Sequence, residues 1–196
     1  MPRIGVLIEA HYDETEFNLF NEVFTKDGYE LEYLSYLWGQ DSLRFEGNDH
    51  ASEVEVRTCV TTAKVADYDA IILIGGYAMD RLRYQEEVIK GAPNTAPAVN
   101  FLRAAVSAMD EGTVKIGTIC HSLWLFCADN RLLTGRKITC AHNIICDVEN
   151  AGGVVEYEET QLQNIVIDGG LISAKHPGVA ELFIDTLKGE LSRPGA

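Results

Sequence analysis

The sequence predicts an α/β fold in which a mostly parallel sheet is covered by helices on both faces. Two patterns carry that expectation. Short apolar runs with no polar face fall at 3–8, 67–76 and 114–119, and they alternate with segments whose apolar residues recur at helical spacing. A third observation concerns organisation: no linker, repeat or low-complexity stretch divides the 196 residues, and the run 91–97 reads as a local loop. One domain over residues 1–196 is therefore expected.

In chain order, 3–8 reads as a buried strand, followed by a polar loop and a helix patterned by Phe17, Phe20, Val23 and Phe24, which Gly28 stops. Residues 31–36 and 53–60 read as strands, and 67–76 as an apolar strand ending in the pair Gly75-Gly76. Helices are expected around 80–90 and 97–110, then a strand over 114–119 and a helix over 121–129. A turn at 134–136, a strand near 137–140, a helix near 144–151, strands within 153–174 and a helix over 178–187 complete the pattern. Ligands of such sheets bind outside the carboxyl ends of the strands, which directs attention to the loops 9–16, 75–79 and 120–122.

With 30 acidic against 16 basic side chains the formal charge is −14, so nucleic acid and anionic membrane surfaces are disfavoured as partners. The first apolar run ends at Glu9, too short for a signal peptide or a membrane span, and a cytoplasmic protein is expected. The five cysteines, 59, 120, 127, 140 and 146, lack the paired spacing of a zinc or dithiol site, and structural disulfides are not expected. Cys127, two helical turns beyond Cys120, is read as a core residue, and Cys59 as strand packing. No phosphate-binding glycine motif or metal-ligand spacing is present, and no cofactor is expected.

Cys120 falls where a buried strand is expected to turn into a helix. Free first-turn amides and the helix dipole there favour thiolate, placing its pKa below the free value of about 8.5. The amides of Gly76 and His121 can hold a developing oxyanion. His121 is a candidate acid or base, and Asp13, Glu14 or Glu16 can bring a carboxylate from the first loop to accept or share the thiol proton. Asp13 and Glu14 lie in the loop or at the cap, where an aspartate is engaged by the helix's own amides. Glu16 has the reach to face the sulfur, and is preferred over Asp13.

The run Thr118-Ile-Cys-His-Ser122 resembles the A-x-C-H-G nucleophile elbow of the DJ-1/PfpI superfamily. The segment Ile74-Gly-Gly-Tyr-Ala-Met-Asp-Arg-Leu-Arg83 is similar to that family's glycine-glycine segment. Leu132-Leu-Thr-Gly-Arg-Lys-Ile-Thr139, Asn150-Ala-Gly152 and Ser173-Ala-Lys-His-Pro-Gly178 follow in the same order. The resemblance implies a flavodoxin-like three-layer sandwich, catalytic Cys120 with His121 beside it, an oxyanion site at Gly76 and His121, and a first-loop acid at Glu16 or Asp13. It implies a homodimer or higher homo-oligomer and a small-molecule or peptide substrate. The activity implied is that of a cysteine-dependent enzyme on a carbonyl or amide, amidase/peptidase or glyoxalase/deglycase in type. The alternative is a redox-sensing or chaperone-like stress protein in which Cys120 is oxidised. Ser122 departs from the family glycine and Met79 from a common proline; a histidine found in some members would fall at Ala141, with His142 adjacent. The His-x-Glu of glutamine amidotransferases is missing, since His176 is followed by Pro177 and Gly178.

Overall fold

The computed structural model describes residues 1–193; the last three residues of the expected domain lie outside the described residues. Its elements are β1 (Arg3–Leu7), α1 (Glu14–Lys26), β2 (Glu30–Ser35), β3 (Leu43–Glu46), β4 (Glu53–Val56), β5 (Thr58–Cys59), β6 (Ala70–Leu73), α2 (Ala78–Leu82) and α3 (Pro97–Asp110). There follow β7 (Lys115–Ile119), β8 (Lys137–Ile138), α4 (Ile145–Asn150), β9 (Val154–Val155), β10 (Tyr157–Glu158), β11 (Gln161–Leu162), β12 (Ile165–Asp168), β13 (Leu171–Ala174) and α5 (Ala180–Ser192).

Seven strands form the central sheet in the order β12-β13-β7-β6-β1-β2-β5. Every neighbour pair is parallel except β12 with β13, so the sheet is the mostly parallel, flavodoxin-like one expected. The register sets Leu7 beside Leu73, Leu73 beside Thr118, and Ile119 beside Ala174. The carboxyl ends of β1, β6, β7 and β13 therefore lie along one edge, and the loops that leave them are neighbours. Among the described residues, no helix is long and apolar enough to cross a membrane.

The apolar runs are strands because both of their faces are covered. Ile71 and Ile72 on β6 and Ile116 on β7 are fully buried, and α3 supplies Val99, Leu102 and Val106 from its apolar stripe. Helices α1 and α5 meet through Phe20 and Phe183, whose ring centroids are 6.0 Å apart. Phe183 then lies over the bare Cα of Gly117 in β7, where a Cβ would stand 2.6 Å from its Cζ.

Four expectations change. The strand expected over 53–60 is two: β4 pairs antiparallel with β3 in a separate hairpin, while β5 joins the sheet edge beside β2. The hairpin partner β3 was not foreseen. The helix around 80–90 stops at Leu82, because Val88 (79% exposed) and Ile89 (67%) have no core to face and extending it would bury nothing. The strand near 137–140 is confined to β8, whose two residues pair with β9 rather than with the main sheet. Finally, 121–129 is a pair of tight i+3 turns, Ser122–Trp124 and Phe126–Ala128, and not an α-helix.

Close packing of Phe183 on Gly117 predicts that Gly117→Ala destabilises the fold by about 1–3 kcal/mol through overpacking. In a double-mutant cycle by urea unfolding, adding Phe183→Leu should recover at least about 0.5 kcal/mol relative to the sum of the single changes. Strict additivity would show that the ring is not the obstacle.

Candidate active site

Cys120 begins where β7 ends, and its backbone enters the left-handed region with φ +60°. For a residue with a Cβ this conformation costs on the order of 1–2 kcal/mol and persists only where the surroundings enforce it. Three hydrogen bonds do so. The Cys120 N–H donates to Ala174 O at 2.9 Å, and its carbonyl accepts from the Ala141 N–H at 3.0 Å. One residue earlier, the Ile119 N–H donates to Ser122 Oγ at 2.7 Å. The serine standing where the family motif has glycine thus completes the end of the strand. With Trp124 N–H donating to His121 O at 3.0 Å, the chain leaves the strand in a tight turn. The full helix dipole expected to face the thiol is not there.

Beside this turn, β6 ends in Gly75 and Gly76. A Cβ on Gly75 would lie 2.5 Å from Glu16 Oε1 and 2.9 Å from Cys120 Cβ, so the bare glycine is the point where the acid and the cysteine approach each other. Its N–H donates to Glu16 Oε2 at 2.6 Å. Gly76, at φ +72°, is pressed against the first loop: a Cβ there would meet His11 O at 2.3 Å. Loop and glycine pair are further joined by Asp13 N–H to Gly75 O (3.2 Å) and Tyr77 N–H to His11 O (2.8 Å).

The three first-loop acids divide into three separate tasks. Asp13 caps α1, accepting from the Glu16 N–H at 3.0 Å. Glu14 is turned away toward the β3–β4 hairpin, where its Oε1 accepts from the N–H groups of Ala51 (3.0 Å) and Ser52 (3.3 Å). Glu16 alone is brought to the cysteine side, fully buried, with Oε1 lacking a hydrogen-bond partner. His121 Nδ1 lies 3.2 Å from Cys120 Sγ, so the adjacent side chains do meet.

Burial pushes the Glu16 carboxyl well above the usual carboxylate range, and the neighbouring Asp13 adds to this against the pull of the Gly75 amide. Burial also raises Asp13. The Cys120 thiol, expected below its free value, is instead pushed up to about 12 by burial and then by the charges of Glu16 and Asp13. Backbone hydrogen bonds from Gly76 and His121 act in the opposite direction on the same sulfur. Glu16 and Cys120 oppose each other's ionisation, so while Glu16 keeps its proton its contribution to the thiol disappears. Burial lowers His121, which favours the neutral ring.

Of the other thiols, burial raises Cys127 to about 11 and Cys140 to about 12. At Cys59, half-buried at the sheet edge, burial raises the thiol but is outweighed by hydrogen bonds from Thr61 and Leu37, and the net direction is down. Sequence reading as strand packing did not disclose those donors.

The sequence also gave no role to the aromatic surround of His121. Tyr77 stacks on its ring at 5.8 Å and 15°, and Trp124 lies 5.0 Å away on a tilted plane. The Arg83 guanidinium covers Trp124 at 5.7 Å, and Trp124 Nε1 donates to Asp147 at 2.8 Å. Tyr77 follows the glycine pair directly and Trp124 is one turn past His121; that adjacency was the available signal. His142 is exposed and stands in a neighbouring cavity, not against the sulfur.

Left-handed strain at Cys120 predicts that Cys120→Gly is more stable than Cys120→Ala by about 1 kcal/mol, both having lost the sulfur. Equal urea midpoints would show that the turn is unstrained. Glu16 gives a pH signature. Since its folded pKa is raised above the unfolded value near 4.5, its contribution to stability is lost as pH rises from that value through the folded pKa. Glu16→Gln, a mimic of the protonated acid, should therefore gain stability relative to the parent as pH rises above the unfolded value; a difference that does not change with pH would contradict the shift.

The DJ-1/PfpI family profile matches residues 2–188. The chain is 27% identical to protein/nucleic acid deglycase 2 of Escherichia coli over 176 residues, 89% of each chain. It is 24% identical to general stress protein 18 of Bacillus subtilis over 175 residues, again 89% of each. In structure it is similar, with a TM-score of 0.80 and 24% identity, to a two-domain protein of Anabaena variabilis that contains DJ-1/ThiJ/PfpI-like and ferritin-like domains. That likeness covers 97% of this chain and 48% of the Anabaena chain.

Proposed function

The chain belongs to the DJ-1/PfpI family, and on that ground, with the convergence of Cys120, Glu16 and two backbone amides, we propose a cysteine-dependent enzyme acting on a carbonyl or amide substrate. One observation carries the reading: a fully buried carboxyl sits on the amide of the same bare glycine that Cys120 Cβ abuts, with its second oxygen unpartnered. A carboxyl so placed has no structural task left for that oxygen, and it can exchange a proton with the thiol.

In the proposed reaction the thiol proton passes to His121 Nδ1, or to Glu16 when that carboxyl is ionised, as Sγ attacks the carbonyl carbon. A C–S bond forms and the C=O π pair moves to oxygen. The amides of Gly76 and His121, both already directed at the sulfur, are the donors for that oxyanion. With an aldehyde or ketone the oxyanion takes back the proton and leaves a hemithioacetal. With an amide the proton goes to the leaving nitrogen as the C–N bond breaks, and water then hydrolyses the thioester. Tyr77 and Trp124 hold the His121 ring in place.

A second reading follows from access. Cys120 is only 6% exposed, which suits an oxidant as small as hydrogen peroxide. The sulfur would be oxidised to sulfenate while peroxide is reduced to water, with Glu16 hydrogen-bonding the product; the likeness to a general stress protein agrees with this.

Kinetics on a panel of α-oxoaldehydes and amides, with each cysteine mapped by mass spectrometry after peroxide, separates the two. The enzyme reading expects Cys120→Ser to abolish turnover and Glu16→Gln to lower kcat/KM by about 10²-fold. Turnover that survives Cys120→Ser would remove it. Oxygen added at Cys120 in the absence of any turnover would establish the second reading instead.

A further inference from the structure

The two backbone partners that hold Cys120 in its turn each lead, one residue on, into the same cavity. Ala174, which accepts the Cys120 N–H, is followed by Lys175 and His176; Ala141, which donates to the Cys120 carbonyl, lies between Cys140 and His142. Lys175, His176, His142 and Cys140 all line a cavity of about 420 Å³, to which the β10–β11 hairpin contributes Tyr157 and Gln161. The cavity is thus lined by segments that flank the cysteine turn on both sides.

Its lining contains no aspartate or glutamate, in a chain with a formal charge of −14. By contrast, the cavity at Trp38 and Tyr84 carries Glu9 and Asp80. Asp13, which interacts with His176, and Glu149, which interacts with Cys140, do not line the basic cavity, and Glu158 and Glu159 on the hairpin are exposed and not among its lining residues. The donors are also oriented. Lys175 Nζ spends one N–H on Leu162 O at 3.2 Å, leaving two. His176 Nδ1 accepts from the Gly178 N–H at 2.9 Å, which fixes the neutral tautomer with Nε2–H as a free donor. Thr160 adds a hydroxyl.

We propose that this cavity is the substrate-selecting subsite. The substrate is a carbonyl compound or amide that also bears a carboxylate, bound by Lys175, His176 and His142 while its electrophilic carbon lies at Cys120. The proposal rests on the reading of Cys120 as nucleophile and adds the substrate class to it.

Two alkylating reagents of similar size test it on the full chain without requiring turnover. Thiolate displaces iodide from both, but iodoacetate carries a carboxylate and iodoacetamide is neutral. The ratio of iodoacetate to iodoacetamide rate constants at Cys120, mapped by mass spectrometry, should exceed that of glutathione by about fivefold, the effect of one favourable charge contact. Lys175→Met should reduce the ratio toward the glutathione value, and Lys175→Arg should keep it. A wild-type ratio equal to that of glutathione, or one that Lys175→Met leaves unchanged, overturns the proposal. If Cys120 reacts with neither reagent, the nucleophile reading fails instead, and succinate then decides the cavity. It should raise the Tm of the wild-type protein and of Lys175→Arg but not of Lys175→Met, and no shift in any of them rejects the subsite.

Discussion

The site depends on a residue with no side chain. At Gly75 the carboxyl of Glu16 and the Cβ of Cys120 both occupy space that any Cβ would claim. The same glycine donates its N–H to the acid, and its carbonyl accepts from the Asp13 N–H. From that one position the first loop, the end of β6 and the end of β7 are held together. The position of α1 follows, since its cap and its buried acid are both referenced to Gly75. Parallel register brings the three strand ends to one edge, but only the close approach at Gly75 turns neighbouring loops into a shared site.

Burial at this point sets the electrostatics. In water a cysteine and a glutamate ionise independently. Here the charge of Glu16 disfavours that of Cys120, and Asp13 adds negative potential to both. Backbone amides of Gly76 and His121 are the compensating dipoles. The protein therefore relies on fixed backbone N–H groups, not on a cation at the sulfur, to make a charge there affordable. Such dipoles need no reorganisation when the charge appears. Lys175, His176 and His142 lie in the adjoining cavity, beyond the two backbone partners of the turn.

Much of this was legible in the sequence, and the parts that were not share a cause. Strands β1, β6 and β7 were plain because burial on both faces leaves an unbroken apolar run. Asp13 as a cap and Glu16 as the inward-facing residue followed more from helix geometry than from the family resemblance. The β3–β4 hairpin was missed because the alternation in Leu43-Arg-Phe-Glu46 is too short to stand out without its partner. Residues 84–90 have helical composition but no surface to pack against, and pattern cannot report a missing surface. The turn after Cys120 was read as a helix because Ser122 reveals its role only when Ile119 N–H is seen to need an acceptor. The direction of the thiol shift was misread for the same reason: helix dipoles are local and can be read, whereas enclosure by three separate chain segments is not.

The partners of Cys120 have an order in time as well as in space. Its amide is bound by Ala174 and its carbonyl by Ala141, both of which leave the ribosome after it. A nascent chain extended only through the turn after β7 has Cys120, Gly75 and Glu16 but lacks the two backbone partners that hold the cysteine in its left-handed turn. Placement of the sulfur is thus completed only when β13 docks beside β7 and the segment carrying Ala141 closes over the turn.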